Sequence, residues 1–161
     1  MRVKIRPLTE EDAKISYKWR NNPEIWINTG SRPSKKITLE DEVSWIKAVT
    51  LRKNEARFAI CVNDDDYIGN VQLTGIKNKR AEFHIFIGEK NYWGKGVGFK
   101  AMKLIMELGF KELKLEEVFL KVKKSHSKAI NLYKNVGLKI NDEDNENIIM
   151  SINKETYILE T

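Results

Sequence analysis

Apolar residues alternate with basic ones at the start of the chain, Val3 and Ile5 standing between Arg2, Lys4 and Arg6. A period of two predicts a strand, and Pro7, with no N–H to give to a ladder, ends it. Thr9 then reads as a helix N-cap, with Glu10, Glu11 and Asp12 where the helix dipole favours acids. That helix runs to about Arg20 and stops before Asn21-Asn22-Pro23, because the residue before proline disfavours the α region. Residues 22–37 read as a loop with exposed Trp26 and Arg32. Thr38 caps a second helix, led by Glu40, Asp41 and Glu42, whose Val43, Ile46 and Val49 share one face.

The rhythm then shortens. Residues 57–63, 67–76 and 81–88 read as three strands joined by the turns 64–66 and 77–80, an antiparallel meander. A helix over 97–113 follows, apolar at Ala101, Leu104, Ile105 and Leu108. Residues 118–122 read as a strand, 128–135 as a helix stopped by Gly137, and 138–153 as a terminal hairpin. Strands and helices in this order predict a mixed α/β layer fold. The 161 residues suit one domain, 1–161.

Composition narrows the function. No apolar run is long enough to span a bilayer and the start lacks the apolar block of a secretory signal, so a cytoplasmic protein is expected. Cys61 is the only cysteine and the two histidines lie far apart, which argues against a disulfide and against a metal centre. Cys61 itself reads as a buried structural residue. The net charge of +6 favours anionic partners, a phosphorylated cofactor or a nucleotide among them. The one dense cluster, Lys121, Lys123, Lys124 and Lys128, lacks the interleaved aromatics of a single-strand platform, which argues against nucleic acid.

The segment Trp93-Gly94-Lys95-Gly96-Val97-Gly98-Phe99 carries the chemistry. Three glycines at alternate positions between a strand and a helix turn the backbone tightly and point N–H groups outward. With the helix N-terminus behind them they form a phosphate or pyrophosphate cradle. A Walker A loop is excluded because Lys95 is followed by Gly96, and a dinucleotide fingerprint because the third glycine comes one position early.

The segment resembles the signature of the GNAT superfamily of N-acetyltransferases, with Trp93 replacing its usual Gln or Arg, a variant known in the ribosomal-protein branch. The stretch from His126 to Leu138 is similar to the family's downstream motif. Ala129, Leu132, Tyr133 and Gly137 match, whereas His126 stands for the usual Asn and Leu138 for Phe. The resemblance implies a mostly antiparallel central sheet of about seven strands flanked by about four helices. It implies acetyl-CoA as co-substrate, direct attack by a primary amine in a ternary complex, and no metal. N–H groups from Gly94 to Phe99 then hold the pyrophosphate, with Lys95 and Lys128 as added charge. Backbone groups of Phe86, Ile87 and Gly88 pair with the pantetheine, and His126 or Ser125 replaces the Asn contact. Tyr133 protonates the leaving thiolate, Glu82 serves as base through water, and His84, two residues on and on the same strand face, is the alternative base.

For the acceptor, the segment Trp19-Arg20-Asn21-Asn22-Pro23 with Trp26 and Arg32 resembles enzymes acting on nucleotide-linked amino sugars, ranked first here. A protein N-terminus ranks second. A polyamine, suggested by the likeness of Arg80 to Ile85, ranks third because a polycation wants an acidic site. A non-catalytic acetyl-CoA-binding domain is the competing class, and a homodimer is compatible with each reading.

Overall fold

The computed structural model describes residues 1–29 and 32–160. In chain order the elements are β1 (Val3–Pro7), α1 (Ala13–Arg20), α2 (Pro23–Thr29), α3 (Leu39–Thr50), β2 (Ala56–Val62), β3 (Asp66–Lys77) and β4 (Arg80–Ile87). After them come α4 (Val97–Lys111), β5 (Glu117–Lys123), α5 (Ser127–Val136), β6 (Lys139–Glu143), β7 (Asn147–Asn153) and α6 (Lys154–Glu160). The seven strands form one sheet in the order β1-β2-β3-β4-β5-β7-β6, antiparallel except where β4 meets β5.

Two of the helices depart from the sequence reading. Residues 23–29 form α2 rather than a loop, because Pro23 suits the first turn of a helix and Asn22 Oδ1 caps it by accepting from the Glu24 N–H at 3.1 Å. Residues 154–160 form α6, where Tyr157 stacks on Phe110 and its hydroxyl donates to Glu107 at 2.7 Å. The Thr38 cap is present as a box, Asp41 N–H donating to Thr38 Oγ1 and Thr38 N–H to the Asp41 carboxylate, both at 3.0 Å.

The sheet carries a core on each face. On one, Ala101, Met102, Ile105, Met106 and Phe110 of α4 pack on Ile60, Val71, Leu73 and Phe83. Burying each large apolar side chain contributes roughly 1.5–3 kcal/mol. On the other, Ala13 and Trp19 of α1 and Ile46 of α3 pack on Ala59, Cys61 and Tyr67. Cys61 is fully buried there, and burial pushes its thiol up.

One irregularity positions everything that follows. β4 runs antiparallel to β3 along its whole length, from Arg80 opposite Lys77 to Ile87 opposite Gly69. Its parallel pairing with β5 covers only Arg80 to Glu82, opposite Glu117 to Phe119. Past Glu82 the two strands part, while β5 stays paired with β7 as far as Lys123. A wedge-shaped gap opens inside the sheet.

Candidate active site

Strand alternation decides which backbone groups face the gap. The Gly88 N–H donates to Ile68 O on β3 at 2.7 Å, and Lys79 O accepts from Glu117 N–H on β5 at 3.2 Å. Even-numbered residues of β4 therefore bond β3, and odd-numbered ones face β5. Beyond Glu82 this leaves Phe83, Ile85 and Ile87 presenting N–H and C=O to the gap. The last of these carbonyls is already taken, since Trp93 Nε1–H donates to Ile87 O at 3.0 Å. Phe86, by the same alternation, turns its backbone to β3. Gly88 is close-packed by a side chain: a Cβ there would lie 2.1 Å from the Trp19 ring.

Side chains follow the same alternation. Glu82 and His84 share one face, with the imidazole Nε2 3.6 Å from a Glu82 carboxylate oxygen. Both are part-exposed. On the opposite face Phe83 meets Tyr133 of α5 edge-on, ring centroids 6.2 Å apart. The Tyr133 hydroxyl makes no hydrogen bond to any described residue, and burial raises its pKa above the ordinary phenol value. One cavity of about 900 Å³ runs through the gap and is lined by Glu82, His84 and Tyr133 together, with Lys121, Lys123 and His126 on the β5 side. A carboxylate and a proton-bearing phenol thus face one chamber from opposite sides of the sheet.

On the Glu82 side the cavity is walled by α1, α2 and α3. Glu42, almost fully buried, accepts from Ser16 Oγ and pairs with Arg20, both at 2.7 Å. The Arg20 and Arg57 guanidiniums lie 5.4 and 5.2 Å from the centre of the Trp45 ring, cation–π distances. Arg57 is paired with Glu55 at 2.7 Å. All four tryptophans of the chain gather here: Trp19, Trp26 and Trp45 line the cavity, and Trp93 closes β4.

The glycine loop lies outside this cavity's lining, at the start of α4. Gly94 and Gly96 have φ of +70° and +80°, a region that L side chains rarely adopt, and nothing lies within 4 Å of where their Cβ atoms would be. The first bond of the helix is Lys100 N–H to Gly96 O, so the N–H groups of Val97, Gly98 and Phe99 have no intrahelical acceptor. Open space above left-handed glycines, with orphan donors behind it, fits a pyrophosphate. The unpaired odd-numbered edge of β4 fits an extended amide-bearing arm.

A model of the acetyltransferase (GNAT) domain matches residues 2–139. The chain belongs to the GNAT acetyltransferases. Spermidine N(1)-acetyltransferase of Escherichia coli K12 is 32% identical over 143 residues, 88% of this chain and 75% of that protein. Acetyltransferase PseH of Campylobacter jejuni serotype O:2 is 29% identical over 139 residues, 86% of this chain and 84% of that protein. The structure of spermidine N-acetyltransferase from Vibrio cholerae in complex with CoA and spermine shares the fold, with a TM-score of 0.83 at 22% identity over 97% of this chain and 98% of that one.

As a GNAT enzyme the chain is an N-acetyltransferase that uses acetyl-CoA. Of the residues singled out from sequence, the fold brings Glu82, His84, Phe86, His126, Tyr133 and Trp26 to one cavity. Gly94 to Phe99 lie in the separate turn before α4, and Lys95 and Lys128 are exposed beyond the cavity lining. Arg32 lines a second, smaller pocket. His126 caps α5 with no side-chain bond, leaving its imidazole to the chamber. Sequence reasoning missed Ser16, Glu42, Trp45 and Arg57. Glu42 looked like a first-turn acid, and only the packing of α1 against α3 turns it inward. Among the described residues no cluster of three or more His, Cys, Asp or Glu could hold a metal ion, and no helix is long and apolar enough to cross a membrane.

Proposed function

We propose that the enzyme transfers the acetyl group to the primary amine of a nucleotide-linked amino sugar, by direct attack in a ternary complex. The observation that carries the mechanism is the placement of Glu82 with His84 on one face of β4 and Tyr133 on the other, open to one cavity. The thioester lies in the gap, its pantetheine arm held by the free edge groups of Phe83 and Ile85 and by the Ile87 N–H, as an added strand. The amine enters from the Trp19–Trp45 side. Glu82 takes the ammonium proton through water. The nitrogen bonds the carbonyl carbon, and gap-facing N–H groups of β4 donate to the developing oxyanion. The C–S bond breaks, the thiolate takes the Tyr133 proton, and the remaining extra proton on the nitrogen returns to the tyrosinate through water, leaving the amide.

The acceptor is argued from charge. Arg20 neutralises Glu42 and Glu55 neutralises Arg57, which leaves Glu82 as the cavity acid without an arginine partner. The cavity margin adds Lys121 and Lys123. This lining suits a ligand with one amine and an anionic, ring-bearing remainder. A polyamine acceptor is the second reading, supported by the printed activity of the Escherichia coli relative. Thiol release from acetyl-CoA is to be measured with nucleotide-linked amino sugars, spermidine and N-terminal peptides. The highest kcat/KM is expected for a nucleotide-linked amino sugar. A preference for spermidine or peptides overturns that acceptor, and no release with any amine overturns catalysis.

A further inference from the structure

Beside α2 lies a second pocket of about 300 Å³, lined by Asn21, Trp26, Arg32, Pro33, Lys35 and Lys36. Three of its six lining residues are cations and none is an acid. Among the described residues no carboxylate lies within 4 Å of the Arg32, Lys35 or Lys36 charge; the Asp41 carboxyl is held below its ordinary value by its hydrogen bonds with Thr38 first, with the Lys35 charge a lesser cause. Arg32 lies 5.6 Å from the centre of the Trp26 ring, at cation–π distance. The segment is anchored: Asn21 Nδ2 donates to Ile37 O at 2.7 Å, its Oδ1 accepts from Ile37 N–H at 2.8 Å, and Ile37 is buried. The lysines therefore precede a fixed point. Trp26 lines this pocket and the main cavity alike, so one residue forms a wall of both.

We propose that this pocket is the diphosphate subsite for the acceptor, an inference that rests on the nucleotide-linked reading above. Arg32, Lys35 and Lys36 hold the two phosphates, Trp26 lies under the span between them and the amine, and the amine reaches Glu82. Guanidinium and ammonium groups without a protein acid are set to make charge-assisted bonds to phosphate.

The probe is uridine diphosphate, which carries the anion without the amine, titrated calorimetrically into enzyme saturated with CoA. It is expected to bind once. The Arg32→Ala/Lys36→Ala variant, both sites being exposed, is expected to keep its melting temperature and lose roughly tenfold or more in diphosphate affinity. In turnover, KM for a nucleotide-linked amino sugar rises relative to that for the same sugar without its nucleotide. Absent binding by the wild type, or equal affinity in the variant, overturns the subsite. A parallel loss of CoA affinity overturns it too, by assigning the cations to the cofactor's phosphates. If no nucleotide-linked amine is acetylated, the acceptor reading fails while the diphosphate titration still decides the pocket.

Discussion

Burial raises the Tyr133 pKa above the ordinary phenol value, so the proposed proton donor keeps its proton into the alkaline range. Tyr133→Phe keeps the edge-on contact with Phe83 and removes only the hydroxyl. Turnover is expected to fall by roughly 10²–10⁴-fold with CoA affinity unchanged. A loss below about threefold reassigns the residue to packing. The raised pKa also places any alkaline limb from Tyr133 above the ordinary phenol value near 10, which keeps a test of the base readable. Glu82→Gln is expected to slow the rate at pH 7 and to recover as pH rises toward the amine's own pKa, with His84→Gln the milder variant. The reverse order makes His84 the base. From sequence, Glu82, His84 and Tyr133 were legible because strand periodicity and the motif resemblance fix their positions in the chain. Glu42, Arg57 and Trp45 were not, because what makes them matter is the docking of α1 and α3 on the sheet. No local pattern encodes that contact.

The elements were legible wherever periodicity or a stop signal is local. β2, β3, β4 and α4 fall within a residue or two of the periodic reading, and Gly137 ends α5 with φ of +116°. Pro23 misled because one residue forbids helix before it and favours helix after it. The parting of β4 from β5 could not be read either, since each strand keeps its own alternation on both sides of the break. At the loop before α4, the left-handed conformation of Gly96 favours glycine even though space is open around it. An L residue there costs roughly 1–2 kcal/mol, about tenfold in affinity where that loss falls on binding. Gly96→Asp adds a negative charge where the pyrophosphate is proposed to lie, so a loss of CoA affinity beyond tenfold is expected by calorimetry. Unchanged affinity in the folded variant would remove the cradle from cofactor binding.

At the scale of the molecule, the sheet separates two interiors of different character. The α4 side is a continuous apolar core whose buried residues include Phe83, Phe110 and Tyr157 but no tryptophan. The α1–α3 side holds Trp19, with Trp45 and Trp93 packed against it, and Trp26 lines the cavity on that side. Tryptophan emission, excited selectively, therefore reports the α1–α3 face and the end of β4, whereas far-ultraviolet ellipticity reports every element. The α1–α3 cluster holds fewer buried apolar residues than the α4 core, and it is expected to open first. In a denaturant titration the emission transition of the free enzyme is expected to precede the ellipticity transition. Saturating CoA, bound in the gap between β4 and β5 as proposed, should draw the two midpoints together. Coincident curves without CoA would show that both halves melt as one unit. The tryptophans thus make the unlabelled protein its own optical gauge of whether the reacting half is assembled.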